Sequence, residues 1–181
     1  MDLIISQFDA VNKHLCKAFF DGKEFQCAVG RNGVIDAELK AEGDGCTPLG
    51  RWVMRKVFYR PDRITGLATA LPVYPMTGRE AWCDKQDDTN YNMLVDIDSP
   101  SASKDERFWR EDHIYDISVV LGYNDEPIRP GKGSTIFLHI ARDGYSGTAG
   151  CIALSEKDLR YVLERAVPGS AVDVSKYSLS F

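Results

Sequence analysis

A chain of 181 residues, 44% apolar and 27% charged, is long enough to bury a substantial core and has an ordinary globular composition. Its formal charge of −5 argues against a nucleic-acid or anionic-membrane partner, since both select a basic face; a local basic patch stays compatible with that total. No stretch approaches the length of an apolar membrane span, and the length fits one domain, 1–181, expected to be a monomer.

In chain order, Leu3 to Ser6 reads as a short strand. Leu15 to Phe20 and Lys23 to Val29 flank Asp21-Gly22, which predicts a hairpin closed by a type I′ turn. Arg31-Asn32-Gly33 marks a turn into a strand near Val34 to Ala37. Glu42 to Gly50 reads as a loop closed by Thr47-Pro48-Leu49-Gly50. It is followed by a strand, Trp52 to Tyr59, with Trp52, Met54, Lys56 and Phe58 on one face. From Arg60 to Asp98 prolines break the pattern, and Ser101 or Ser103 is placed to cap a short helix leading to Arg110. So long a stretch with little periodicity suggests a wall or lid over a site. Asp116 to Tyr123 and Thr135 to Ile140 read as strands. Ser155 is the expected N-cap of a helix with Asp158 at the capping-box position and Leu159, Val162, Leu163 and Ala166 as its apolar stripe. Pro168-Gly169 ends that helix and Ala171 to Val174 is a last strand. Many short strands with one clear helix predict a mainly β fold, sandwich or barrel-like.

The five cysteines are an odd number, with no paired spacing and no CxxC. His14, Cys16 and Cys27 fall in or near the first hairpin without metal-ligand spacing, so neither a metal nor a cofactor is expected. The first residues, Met1-Asp2-Leu3-Ile4-Ile5-Ser6-Gln7, show no basic n-region and no cleavage site. Together these features predict a cytoplasmic location, or a periplasmic one if an export segment precedes this chain.

Chemistry concentrates between Ser134 and Leu154. An apolar run carries His139; a Gly-containing loop follows; Gly150 precedes Cys151, twelve residues after the histidine. A free cysteine packs by default as a small hydrophobe, but a thiol beside an imidazole that can take its proton is a nucleophile. Glycine lets the backbone approach a reacting carbonyl, so the N–H groups of Gly150 and Cys151 are candidates for an oxyanion hole.

His139, then Thr148-Ala149-Gly150-Cys151-Ile152-Ala153-Leu154, resembles the catalytic motif of the L,D-transpeptidase (YkuD-like) family. It departs from the usual form at Ile140 in place of glycine, Thr148 in place of serine and Ala153 in place of arginine. A subgroup of that family is similar further along the chain, from about Glu42 to Leu154. The matching stretches include Gly43-Asp44-Gly45-Cys46-Thr47-Pro48-Leu49-Gly50, Trp82-Cys83-Asp84, Tyr91-Asn92, Trp109-Arg110-Glu111-Asp112, Tyr115-Asp116, Gly122-Tyr123-Asn124 and Gly133-Ser134-Thr135. The resemblance implies a β-sandwich of mixed sheets with the site at one end, and a helix after the cysteine packed on its sheet. It also implies a cysteine enzyme acting on peptidoglycan stem peptides, in which a backbone carbonyl orients His139.

A stem peptide carries free carboxylates, which suit bidentate arginine. Arg110 is the first candidate, with Arg63, Arg79 and Arg142 behind it. Tyr115 and Trp82 are candidate pocket walls, and Thr148 a candidate contact. The activity expected is an L,D-carboxypeptidase that removes the terminal D-alanine from a tetrapeptide muropeptide, as in cell-wall recycling. L,D-transpeptidation is the alternative, and an inactive peptide-binding module the reading of another class.

Overall fold

The computed structural model describes residues 1–176. Its strands are β1 (Leu3–Ser6), β2 (Leu15–Phe20), β3 (Lys23–Ala28), β4 (Val34–Asp36), β5 (Thr47–Tyr59), β6 (Val73–Pro75), β7 (Glu80–Trp82), β8 (Leu94–Asp96), β9 (Ile117–Leu121), β10 (Phe137–Ile140), β11 (Ile152–Leu154) and β12 (Ala171–Val174). The α-helix among the described residues is α1 (Glu156–Arg165). The main sheet runs β12-β1-β2-β3-β11-β10-β9-β5-β4, with β6 also on β5, and β12 pairs back onto β5. The sandwich is therefore present with its edges joined, and closure leaves few unpaired strand edges. Pairings are mixed: β10–β11, β1–β12, β4–β5 and β5–β6 are parallel. The fold is mainly β, with one helix near the C-terminal end, as the sequence predicts.

Period-two alternation divides the apolar residues between two cores. Leu3, Ile5, Cys16, Ala18, Phe20, Ile117, Val119, Leu138, Ile152 and Val172 point into the closed sheet. Leu159, Val162, Leu163 and Ala166 of α1 meet them there. A second, mostly aromatic cluster lies on the outer face of β5, β9 and β10: Phe58, Met76, Trp82, Phe108, Ile114, Tyr115, Val120, Phe137 and Cys151. It is covered by the β7–β8 hairpin and by the segment 99–115. Strand β10 reads as an unbroken apolar run because both its faces are covered.

The hairpin turn is as expected, with Asp21 at φ 49° and Gly22 at φ 71°. Other expectations fail for identifiable reasons. Thr47-Pro48-Leu49-Gly50 does not close a loop: it begins β5, paired in parallel with β4. The single-face reading of Trp52, Met54, Lys56 and Phe58 breaks at a register shift between Met54 and Lys56. This bulge sends Val57 to the inner core and Phe58 to the outer one. Neither Ser101 nor Ser103 caps a helix. Ser101 is buried and its hydroxyl accepts from Asn90 Nδ2 at 3.1 Å, and the segment is a series of turns. The 60–98 segment contains β6, β7 and β8, too short to show a period.

The α1 cap does form as predicted: Ser155 Oγ accepts the Asp158 N–H at 3.1 Å and donates to Asp158 Oδ2 at 2.6 Å. Ser155→Ala should lower stability by about 1 kcal/mol, read as a drop in chemical-denaturation midpoint without change in its slope.

Candidate active site

Phe137 and His139 are two apart on β10 and so share the outer face. In the parallel pairing His139 stands opposite Ala153. Cys151, two before Ala153, therefore comes level with Phe137, whose N–H reaches Cys151 Sγ at 3.4 Å. Cys151 and His139, the expected nucleophile and base, thus sit on one face of neighbouring strands. The ten residues between Ile140 and Cys151 form the return loop that the parallel pairing requires. That loop presses on the chain after β3: Gly30 bridges Thr148, and Arg31 N–H donates to Thr148 O at 2.8 Å. Gly147 is obligatory there, because a Cβ would stand 2.6 Å from Arg31 Cα. Gly150 has φ +147°, and a Cβ would meet Cys46 O at 3.0 Å.

Two threonine hydroxyls fix the turn into the nucleophile. Thr148 Oγ1 donates to Cys151 O at 2.7 Å and accepts the Gly150 N–H at 3.1 Å. Thr47 Oγ1 donates to Gly150 O at 2.8 Å. The Gly150 N–H, expected to face an oxyanion, is thus occupied by Thr148. Thr148 itself shapes the turn as well as lining the site.

The Cys151 thiol donates to Thr135 O at 3.1 Å. Thr135 has φ 57°, a rare conformation for a β-branched residue. Its N–H is held by Asn92 Oδ1 at 3.1 Å. The same oxygen accepts Trp82 Nε1–H at 3.0 Å, while Asn92 Nδ2 donates to Tyr123 O and Asn124 O. Trp82 is therefore not a wall of the catalytic cavity. It is core, edge-on to Phe137 at 5.2 Å, and acts on the site through Asn92.

His139 Nδ1 lies 2.9 Å from Ile140 O. A carbonyl only accepts, so Nδ1 carries the proton and Nε2 the lone pair. Burial pushes the imidazole down to about 4. Burial, then the charge of Glu106, pushes the Cys151 thiol up to about 12, against lowering by the Phe137 N–H and the Tyr115 hydroxyl. At neutral pH both groups rest uncharged.

A cavity of about 320 Å3 opens on Cys151 and His139. Arg31, Arg110 and Arg142 line it beside Glu42, Asp84, Asp105 and Glu106, with Tyr115, Thr135 and Thr148. A larger groove, about 890 Å3, lies along α1 at Tyr161 and Phe25, away from any nucleophile. Arg110 forks onto Asp112 at 2.9 Å through both Nε and Nη2, and Arg142 reaches the same carboxylate at 2.9 Å. Tyr115 packs against the His139 ring at 5.3 Å. Arg63 and Arg79 are elsewhere. Arg63 pairs with Asp116 and Glu111; Arg79 pairs with Asp96 and Asp98, bracing β7 against β8. The wall expected from 60–98 comes mainly from 105–115, with Asp84 the contribution of the earlier segment. Sequence reasoning missed Glu106, Arg31 and Thr47; Thr47 lay inside a stretch quoted for the family resemblance, and Arg31 inside one quoted only as a turn. No group of three or more His, Cys, Asp or Glu side chains among the described residues is arranged to hold a metal.

The profile of the YkuD family, described as the L,D-transpeptidase catalytic domain, matches residues 11–174. The chain belongs to that family. Its members are cysteine-dependent enzymes acting on peptidoglycan peptides. No curated protein matches the chain. Among solved structures it is similar to L,D-transpeptidase 1 of Mycobacterium tuberculosis, at 13% identity and TM-score 0.38, over 96% of this chain and 61% of that one. It is also similar to an L,D-transpeptidase from Mycobacterium smegmatis, at 11% identity and TM-score 0.40, over 96% and 58%. A third is a variant of the helical cell shape determining protein of Campylobacter jejuni, at 17% identity and TM-score 0.41, over 98% and 48%. The chain thus spans roughly half to three fifths of those chains.

Two groups of this YkuD site, His139 and Glu106, make opposing contributions to stability on the acid side of neutrality. His139 is lowered from 6.5 to about 4, so its contribution is full above pH 6.5 and is lost as pH falls towards 4. Glu106 is raised from 4.5 to about 7, by burial and then by Asp84, so its contribution is full below pH 4.5 and is lost as pH rises towards 7. Melting temperature between pH 4.5 and 6.5 should therefore fall more steeply on acidification in Glu106→Gln than in the parent. In His139→Gln it should fall less steeply; the same slope in all three would refute the assignment.

Proposed function

We propose that this chain is an L,D-carboxypeptidase acting on small peptidoglycan tetrapeptides. Cys151 Sγ attacks the carbonyl of the amide whose acyl side is an L-centre. Its proton passes to His139 Nε2, whose lone pair the Nδ1 contact with Ile140 O leaves free to accept it. Collapse of the tetrahedral intermediate forms the thioester, and His139 gives the proton to the departing D-amino acid. Water, deprotonated by His139, then cleaves the thioester and restores the thiol. Because the resting pair is neutral, proton transfer accompanies attack rather than preceding it.

The observation that carries this reading is the cavity of about 320 Å3 at Cys151 and His139. That volume is at the lower end of small-molecule sites and accommodates the end of one stem peptide. Transpeptidation needs a second peptide amine held against the thioester, since water at tens of molar otherwise prevails. On this reading the cavity lined by Glu106, Arg110 and Tyr115 holds one stem peptide and no acceptor. A cytosolic site of action goes with this proposal, where free muropeptides are the available form of the substrate. Cell fractionation and blotting for the native protein tests it, and recovery from the periplasm would favour cross-linking.

Incubation with a disaccharide tetrapeptide, read by mass spectrometry, should give the tripeptide and free D-alanine. Cross-linked dimer or D-amino-acid exchange as the main product would replace hydrolysis by transpeptidation. Cys151→Ala should abolish turnover while keeping its melting temperature, and the absence of turnover in the parent would favour a binding module. Among the arginines, Arg110→Ala should lower kcat/KM by about tenfold or more, the loss of a charged hydrogen bond. Arg79→Ala, remote from the cavity, should leave it unchanged. The reverse order would put the carboxylate site elsewhere.

A further inference from the structure

Two of the three arginines lining the catalytic cavity are already engaged. Arg110 is held by Asp112 and by Asp105 O at 3.0 Å, and Arg142 by Asp112. The Arg31 guanidinium has no hydrogen bond or ion pair among the described residues. The acids of the neighbouring loop are spent elsewhere. Asp44 takes Lys40 Nζ at 2.6 Å and the N–H groups of Ala41 at 2.9 Å and Cys46 at 2.8 Å, and Glu42 accepts the Tyr91 hydroxyl. Yet the Arg31 backbone is fixed to the turn that carries Cys151. Its N–H donates to Thr148 O at 2.8 Å, and Thr148 N–H donates to Val29 O at 3.0 Å. Gly30 N–H donates to Thr47 Oγ1, which itself donates to Gly150 O. The head of the side chain lies over Gly45, where a Cβ would stand 3.0 Å from Arg31 Nε and 3.1 Å from its Cζ.

Strand order separates the arginines. Across the sheet the neighbours are β3, β11, β10 and β9. Arg31 follows β3, Cys151 precedes β11, His139 is on β10, and Arg110 precedes β9. Arg110 stacks over the Tyr115 ring at 5.3 Å, and Tyr115 packs on His139 at 5.3 Å. That end holds the base, and so the departing amine. Arg31 stands beyond Cys151 at the opposite end. We infer that Arg31 is the receptor for a free carboxylate on the acyl half of the substrate, the half that stays on Cys151 as the thioester. Four acids, Glu42, Asp84, Asp105 and Glu106, line the same cavity, so an unpaired substrate carboxylate would meet like charge. A guanidinium with its donors free offsets that and can fork onto the carboxylate. Two groups of a stem peptide have this chemistry on the acyl half. One is the side-chain carboxylate of the diamino diacid whose carbonyl is attacked; the other is the α-carboxylate of the γ-linked residue before it.

This inference rests on the stem-peptide substrate of the proposed function, but its test needs no turnover. Binding is measured by titration calorimetry in the Cys151→Ala background. A parent that turns nothing over would sink the proposed activity and leave the calorimetry to decide on Arg31. Three tetrapeptides are the probes: one with diaminopimelate at the third position, one with lysine there, which lacks only the side-chain carboxylate, and one whose γ-linked glutamate carries its α-carboxyl as an amide. One of the two altered peptides should bind about tenfold or more weakly than the first, the loss of a charged hydrogen bond, and which one it is names the carboxylate. Arg31→Ala and Arg31→Gln should each weaken the first peptide by the same factor and abolish the preference. Arg110→Ala, at the other end, should keep it. In the turnover assay Arg31→Ala should raise KM with kcat nearly unchanged, because the acyl half is held alike in the ground and transition states. Equal affinity for the three peptides, no binding of any, or a preference that survives both Arg31 substitutions would overturn the inference. Both variants should melt with their background, since the side chain makes no bond within the described residues; a variant that fails to fold would overturn the premise that Arg31 is free.

Discussion

The site depends on one carboxamide. Asn92, itself at φ 57°, fills its hydrogen-bonding capacity with Trp82 Nε1, Thr135 N, Tyr123 O and Asn124 O. Four segments far apart in sequence are thereby fixed at the root of β10. The pinned N–H holds Thr135 in a left-handed conformation, and that conformation turns the Thr135 carbonyl onto the Cys151 thiol. A buried amide left half-paired costs more than its bonds contribute when complete, so the network is satisfied as a whole or not at all. Tyr91 reinforces it, accepting the Gly133 N–H at 3.0 Å and donating to Glu42 at the cavity mouth.

The same network explains what the sequence could and could not show. Tyr91-Asn92, Trp82, Gly122-Tyr123-Asn124 and Gly133-Ser134-Thr135 resemble a YkuD subgroup as separate words. Only the structure shows that they are four sides of one hydrogen-bonded knot. Strands with clean alternation or strong turns were legible: β1, the Asp21-Gly22 hairpin, β9, β10 and β12, and so was α1 with its Ser155 cap. The failures share a cause. The bulge in β5 re-aims Phe58 without changing residue type, and strands of three residues such as β6, β7 and β8 are too short to carry a period. Ser101 has the chemistry of a cap, but burial gives its hydroxyl to Asn90 instead.

For the site, Cys151 and His139 were legible because their spacing and glycine context are sequence-local. The arginines were not, because a guanidinium's role depends on what stands opposite it. Of the four candidates, Arg63 meets the buried Asp116, Arg79 meets Asp96 and Asp98, and Arg110 and Arg142 reach the cavity, which Arg31 also lines. Glu106 gave no signal within Lys104-Asp105-Glu106-Arg107, which reads as a solvated charge run. Only the fold brings that half-buried carboxylate to the Tyr115 hydroxyl at 3.3 Å and to the cavity.

The electrostatics bear on how activity in this fold is to be diagnosed. Rapid labelling by a general electrophile marks a cysteine that rests as thiolate. Cys151 rests instead as a buried thiol donating to a carbonyl, beside an imidazole that burial keeps neutral. Ionising the sulfur turns the Thr135 carbonyl from an acceptor into a repelling dipole, and protonating His139 charges a buried ring. Neither step is favourable alone. Together, with an acyl carbon taking the sulfur's electrons as the proton leaves, the charges need never coexist as a separated pair. Slow labelling therefore does not separate an inactive module from an active YkuD domain, whereas an acylating probe shaped like the peptide does. Burial and the bond to Thr135 O shield the Cys151 sulfur from adventitious oxidation and alkylation.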